Sequence, residues 1–261
     1  MADSEPGGGG VDPAAGRGTP PITLVEPDEI GRILVVSAHP DDVDFGAAGS
    51  VAAWVKAGTF VAYCIVTDGD AGGSDHSLSR PELARTRREE QVAAAREVGV
   101  DDVTFLGYPD GRLVPSIELR RDISRQIRRV RPDRLVCQSP ERNWDRIVAS
   151  HPDHLAAGEA SICAVYPDAR NPFAHPELLD EGFEPFAVPE VWLMAASDAN
   201  RGIDITDTFD QKLRALRCHA SQVGDGDFLD GLLRGWFGPQ ALAAGLEQGR
   251  YVEVFRAVST A

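Results

Sequence analysis

The apolar run Ile33-Leu34-Val35-Val36-Ser37-Ala38 stops abruptly at His39-Pro40-Asp41-Asp42. Branched apolar residues without polar alternation read as a buried strand, the habit of a parallel sheet covered on both faces. Its polar stop sets an imidazole and two carboxylates at the strand's carboxyl end, where open α/β sheets place their ligand crevices. Much later, His151-Pro152-Asp153-His154 repeats the same vocabulary.

Between and beyond these clusters the pattern alternates. Residues 46–57 read as a helix, kept small at Ala47, Ala48 and Gly49 for close approach to the strand. Residues 60–67 are a second apolar strand, ended by the turn Asp68-Gly69-Asp70-Ala71-Gly72-Gly73. A helix over 81–98 has an apolar stripe through Leu83, Thr86, Val92, Ala95 and Val98, with Arg85, Arg88, Glu89 and Arg96 opposite and Gly99 as its stop. A strand at 103–106, a helix at 116–130 and a strand at 134–138 follow. This alternation predicts an α/β fold, a doubly wound, mostly parallel sheet flanked by helices. The loop 139–150 leads into the second cluster and a helix to about residue 165. The proline-bearing stretch 167–189 reads as a surface excursion. Strands at 190–195, 203–205 and 251–257 and helices at 208–220 and 228–246 complete the chain. Nothing splits it internally, so one domain is expected over 29–261, after a Gly- and Pro-rich disordered tail over 1–28.

Composition narrows the function classes. A formal charge of −15 opposes sequence-independent nucleic-acid binding and docking on an anionic membrane surface. No segment approaches the roughly 18 consecutive apolar residues of a membrane span, and the first residues lack the basic start and apolar core of a secretory signal. Cys64, Cys137, Cys163 and Cys218 form no C-x-x-C pair and read as free thiols, which fits a cytoplasmic protein.

Two His/Asp clusters at strand ends of one sheet point to a divalent metal. Zinc takes imidazole nitrogen and carboxylate oxygen, and a catalytic site uses three protein ligands plus water. His39, Asp42 and His154 supply such a set, which frees Asp41 to act as a base on water made acidic by the metal. Each cluster alone has a plainer explanation, an Asp capping the next helix or two surface histidines near a helix start; together they favour the metal. Other residues read plainly: Arg87 and Glu90 as a solvated helix pair or a ligand contact, Asp68 and Asp70 as turn residues, and His76 and His175 as surface histidines. His219 is either a helix-end residue or a pocket residue. Trp192 and Trp236 read as packing, and Trp144 as the ring best placed to line a sugar site.

Ala38-His39-Pro40-Asp41-Asp42 followed by His151-Pro152-Asp153-His154 resembles the LmbE/PIG-L family of zinc-dependent de-N-acetylases. Thr67-Asp68-Gly69, Arg87-x-x-Glu90, Val98-Gly99-Val100, Phe105-Leu106-Gly107 with Asp110, and Lys212…His219-x-Ser221-Gln222 extend the match over about residues 32–222. The resemblance implies a Rossmann-like fold and hydrolysis of an N-acyl amide, typically on an N-acetylglucosamine unit. It implies Zn2+ (or iron in its place) on His39, Asp42 and His154, with Asp41 as general base. It further implies His151 as the group that stabilises the oxyanion or protonates the leaving amine, with Asp153 orienting it. Arg87 and Asp110 match positions that touch substrate hydroxyls. One departure is that many members carry Glu directly after the Asp-Asp pair, where this chain has Val43 and then Asp44.

The expected partner is therefore a small amino-sugar conjugate, with homo-oligomer formation left open. The alternatives are a metal-dependent ester or phosphoester hydrolase, for which a second metal's ligands are missing, and a non-catalytic sugar- or nucleotide-binding module, for which G-x-G-x-x-G and P-loop cradles are missing.

Overall fold

The computed structural model describes residues 21–27, 30–73, 77–223 and 227–260. In chain order the elements are β1 (Thr23–Leu24), β2 (Arg32–Ser37), α1 (Asp42–Gly46), α2 (Ala48–Lys56), β3 (Phe60–Thr67), α3 (Arg80–Glu97), β4 (Asp102–Tyr108), α4 (Ile117–Val130), β5 (Arg134–Gln138), α5 (Pro152–Cys163), α6 (Glu177–Asp180), β6 (Glu190–Met194), β7 (Arg201–Asp204), α7 (Phe209–Arg217), α8 (Ala220–Val223), α9 (Asp227–Ala243) and β8 (Val252–Ser259).

The strands form one eight-stranded sheet in the order β1-β7-β8-β6-β5-β2-β3-β4. β2 through β6 are mutually parallel, and β8 runs antiparallel to both β6 and β7. The apolar run in β2 is buried on both faces, as its lack of alternation requires. Ile33 and Val35 join one core layer with Trp54 of α2, Ala94 of α3 and Leu216 of α7. Leu34 and Val36 join the other with Ile123 and Ile127 of α4 and Ala160 of α5. Cys64 and Cys137 are buried free thiols whose pKa burial pushes up to about 12.

Topology positions the site. From β2 the chain winds outward through β3 and β4, then returns to lay β5 on the other side of β2. The switch point of this doubly wound sheet lies between β2 and β5, where a crevice opens at the carboxyl ends. His39 leaves β2 there, and the 139–150 loop leaves β5 there. The α5 helix that follows packs tightly on that corner: a Cβ at Gly158 would collide with the Gln138 carbonyl oxygen and the Pro140 nitrogen. Only glycine lets the helix bearing His154 come so close.

Two expectations change. The helix over 46–57 is really two, because α1 starts at Asp42 and the backbone breaks at Ala47 (φ −147°) before α2. The tail expected over 1–28 lies largely outside the described residues, but Thr23–Leu24 pair with β7, and Ile22 and Leu24 close over Gly202. Their apolar side chains fill the space that a side chain at 202 would otherwise occupy.

Candidate metal and catalytic site

The turn after β2 is built around a strained residue. Asp41 has φ +85° and ψ −27°, a left-handed conformation that costs a non-glycine residue roughly 1–2 kcal/mol. Several bonds hold it. The Asp41 amide donates to Gln91 Oε1 at 2.8 Å, and Arg87 donates to the Pro40 carbonyl at 2.7 Å and to Asp41 Oδ2 at 3.0 Å. Arg87 also reaches the Gly69 carbonyl at 2.8 Å, and a Cβ at Gly69 would strike its guanidinium. In return the turn starts α1 at once and aims Asp42 back over the strand end, where its Oδ2 accepts from the His39 amide at 2.7 Å.

Three histidines and several carboxylates meet above this turn. One ring nitrogen each of His39, His151 and His154 fall within 4.8 Å of one another, as do ligand atoms of His39, Asp110 and Asp153. Asp42 spans two of the rings: Oδ2 lies 3.2 Å from His39 Nδ1, and Oδ1 lies 3.0 Å from His154 Nε2. The other side of His39, Nε2, faces Asp110 Oδ1 at 3.1 Å and Asp153 Oδ2 at 3.2 Å. Asp153 is itself fixed by the amides of Gly111 (2.7 Å) and Leu113 (3.1 Å). Imidazole nitrogen and carboxylate oxygen are the donors that zinc accepts, and carboxylates turned toward the rear nitrogen of a histidine are the usual outer support of a ligand. The residues fit a divalent cation.

Electrostatics separates the two adjacent carboxylates. Burial, then the neighbouring Asp42 charge, raise the Asp41 carboxyl from 3.8 to about 7 against the pull of Arg87, His219 and His39. Asp42 is just as buried, yet His154 and His39 overcome the burial and hold it well below the ordinary value. Burial also works against charge on His39, but Asp42, Asp110 and Asp153 more than offset it and push the ring up to about 12. Burial and the neighbouring His39 and His154 lower His151.

A cavity of about 360 Å³ opens beside Asp42 and His154. Its far wall is α9, which presents Trp236, Phe237 and Gln240, together with Phe45 and Met194. Asn143 and Arg146 of the 139–150 loop form the rim, and the Arg146 guanidinium sits 4.3 Å above the Trp236 ring.

Residues 34–165 match the family model described as PIG-L, GlcNAc-PI de-N-acetylase. The chain belongs to the PIG-L family. It is 32% identical over 195 residues to the diacetylchitobiose deacetylase of Thermococcus kodakarensis, covering 75% of this chain and 71% of the relative. It is 30% identical over 208 residues to a probable N-acetyl-alpha-D-glucosaminyl L-malate deacetylase 2 of Bacillus subtilis, covering 78% and 86%. Among solved structures, the N,N'-diacetylchitobiose deacetylase of Pyrococcus horikoshii in complex with an inhibitor superposes with a TM-score of 0.78 at 32% identity, over 88% of this chain and 85% of that one.

Set against what the PIG-L resemblance implied, the structure brings His39, Asp41, Asp42, His151 and His154 together and redirects several others. Asp153 does not orient the His151 ring: its carboxylate is held by two backbone amides and turned to His39, and only its amide touches His151, donating to Nδ1 at 3.2 Å. Arg87 and Asp110 do not line the cavity; both are buried, Arg87 on the Asp41 turn and Asp110 on His39 and the Ala71 amide. Arg87 does not pair with Glu90, which instead accepts from the amide and hydroxyl of Ser221. Trp144 is 80% exposed and off the cavity, whereas Trp236 packs against the core as read and also lines the cavity. His175 is not a plain surface residue but faces Asp168 at 3.4 Å, and His76 lies outside the described residues. His219 is a core residue with its Nε2 2.8 Å from Asp44 Oδ2. Gln91 went unnoticed in the sequence, and Asp44 was marked only as the acidic residue after Val43 where the chain departs from the family pattern. Gln91 sits one helical turn after Arg87, and that spacing was the signal available.

Proposed function

We propose that the chain is a zinc-dependent amidohydrolase that removes an acetyl group from an N-acetylglucosamine-containing small molecule. The observation that carries this reading is Asp42 bridging His39 and His154 beside an apolar-walled cavity, with Asp41 next to it in the same turn. The kinship to deacetylases of N-acetylated sugars supports the substrate class.

The ligand set is His39, Asp42 and His154. His151 also sits in the imidazole cluster, but its Nδ1 accepts the Asp153 amide. A neutral ring that accepts at Nδ1 carries its proton on Nε2. Offering Nε2 to a metal would place a proton on Nδ1, against the Asp153 N–H. His151 is better suited to donate. Zinc, when bound, supplies a Lewis acid that polarises a carbonyl and makes water more acidic.

The chain's own groups then divide the work. Asp41 accepts the proton of the attacking water, and a carboxyl held above its ordinary range is basic enough to take it near neutrality. His151 presents Nε2–H as a hydrogen bond to the charge that develops on the amide oxygen, and Asp41 hands the proton it took from water to the departing amine. Water and the amide become acetate and a free amino sugar. The sugar and its aglycone lie toward Trp236, Phe45 and the Asn143–Arg146 rim.

The test is metal analysis and acetate release on diacetylchitobiose and a panel of N-acetylglucosaminides, with His154→Ala as control. One zinc per chain and turnover, both lost in the control, are expected. Full turnover by the zinc-free control, or cleavage of phosphoesters only, would overturn the reading.

A further inference from the structure

The side chains behind the Asp41 turn form a chain of hydrogen bonds that ends on its amide. His219, between α7 and α8, lies with Nε2 2.8 Å from Asp44 Oδ2. The same oxygen accepts from Gln91 Nε2 at 2.8 Å, and Gln91 Oε1 accepts the Asp41 amide at 2.8 Å. His219, Asp44 and Gln91 are each 0% exposed, and none lines the cavity or reaches His39, Asp42 or His154. They touch neither substrate nor the residues that would hold a metal.

The order of the groups has a chemical logic. An amide side chain can point either end at a neighbour, but a carboxylate only accepts. Asp44 therefore compels Gln91 to turn its NH2 inward and leaves Oε1 for the Asp41 N–H. A buried carboxylate in turn needs donors of its own. His219 supplies one: it and Gln91 both donate to Oδ2 while Oδ1 has no partner among the described residues, so Gln91 alone would leave Asp44 with a single side-chain donor. The Asp44 main chain is secured separately: Lys212 Nζ donates to the carbonyls of Asp44 and Phe45, 2.7 Å each, and pairs with Glu253, which caps the start of α2 at Gly49 and Ser50. Backbone and side chain of Asp44 are thus held by different residues of the same region, so removing His219 loosens the carboxylate without unseating α1. The recipient of this chain is the residue with positive φ, whose conformation persists only while its surroundings insist on it.

We propose that His219 is a positioning residue: through Asp44 and Gln91 it holds the strained Asp41 turn so that the Asp41 carboxylate stays aimed at the attacking water. The catalytic half of this statement rests on Asp41 as the base; the structural half, control of the Asp41 amide, stands without it.

The experiment uses the full chain with His219→Ala, His219→Gln, which keeps a donor toward Asp44, and Gln91→Met, which cuts the chain one link later at similar volume. Hydrogen exchange of the metal-free proteins is expected to speed up about tenfold or more at the Asp41 amide in His219→Ala, with the Val35 amide in β2 unchanged. In zinc-loaded protein, kcat is expected to fall about 10–100-fold, with KM and zinc content within about twofold of wild type. His219→Gln should restore exchange and kcat to within about threefold, and Gln91→Met should reproduce the His219→Ala phenotype. Unchanged exchange at Asp41 in a folded variant overturns the proposal. So does zinc loss in proportion to activity, or a failure of His219→Gln to restore. If His219→Ala does not fold, Gln91→Met with wild-type exchange and kcat overturns it. If wild type cleaves no N-acetylglucosaminide, the proposed function fails while the exchange data still decide whether His219 controls the turn.

Discussion

The two walls of the cavity are built on different principles. The wall carrying Asp42 and His154 is dense in charge and hydrogen bonds, with its carboxylates tied to imidazoles and backbone amides. The opposite wall, from α9 with Phe45 and Met194, is largely apolar, and Arg146 of the rim rests its guanidinium on the Trp236 ring. The first wall draws on backbone amides, a strained turn and outer carboxylates to fix reacting groups in place. The second offers area and shape with few directional bonds. A site of this kind separates its chemistry from its recognition: damage to the first wall should strike metal binding and kcat, and damage to the second should strike KM.

The sharpest way to break that distinction is within the Asp pair. Asp42→Ala should lose bound zinc and at least about 10³-fold in kcat/KM, whereas Asp41→Asn should keep zinc and lose about 10²–10⁴-fold in kcat alone. Metal stoichiometry beside steady-state kinetics separates the two, and zinc loss in Asp41→Asn would merge their roles. Asp153→Asn comes next. With its charge turned to His39 removed, zinc affinity should fall about 10–100-fold, read by competition with a chelator, with kcat at saturating zinc much less affected. Trp236→Ala tests the other wall, with KM for N-acetylglucosaminides rising up to about tenfold while kcat and zinc content hold. A fall in kcat alone would show that the apolar wall takes part in the chemistry.

The smallest expected effect is on stability. For Asp41 the folded pKa, about 7, lies above the unfolded value of 3.8, so its contribution is complete below 3.8 and is lost as pH rises through 7. His39 moves the same way, its contribution complete below 6.5 and lost as pH climbs toward about 12. Asp42, Asp110 and Asp153 are lowered, so their contributions are lost only on acidification. The Tm of metal-free protein should therefore fall steadily as pH rises from about 4 through 7 and beyond, and zinc should reverse the trend above about pH 6 because it competes with protons for His39. A flat profile in both forms would mean the charge-dense wall is not coupled to folding.

Much of this was legible along the chain. Unbroken apolar runs at β2 and β3 announced a sheet covered on both faces, and β5 began and ended where its pattern said. The alternation of strands and helices was enough for a parallel core. The site's inner residues were legible for the same reason: His39-Pro40-Asp41-Asp42 and His151-Pro152-Asp153-His154 are dense in groups that have few other uses at a strand end. The short α6 inside the 167–189 excursion and the split of α1 from α2 were not, because both depend on backbone breaks that local composition does not mark.

The sequence by itself determined which residues meet at the switch point, since the order of strands and the spacing of two short motifs leave little freedom there. Only the tertiary structure decided which way the polar side chains around them turn. Arg87 and Gln91 lie on a helix face that reads as solvated, yet they point inward because the left-handed Asp41 turn presents them with a carbonyl, an amide and a carboxylate to bind. Asp153 turned to His39 rather than His151 because two amides of the 111–113 segment hold its carboxylate there. Trp236 serves both as packing and as cavity wall because α9 lies against β8 beside the site. Apolar periodicity encodes burial, but a hydrogen bond needs a partner's position, and that position exists only once the chain has folded.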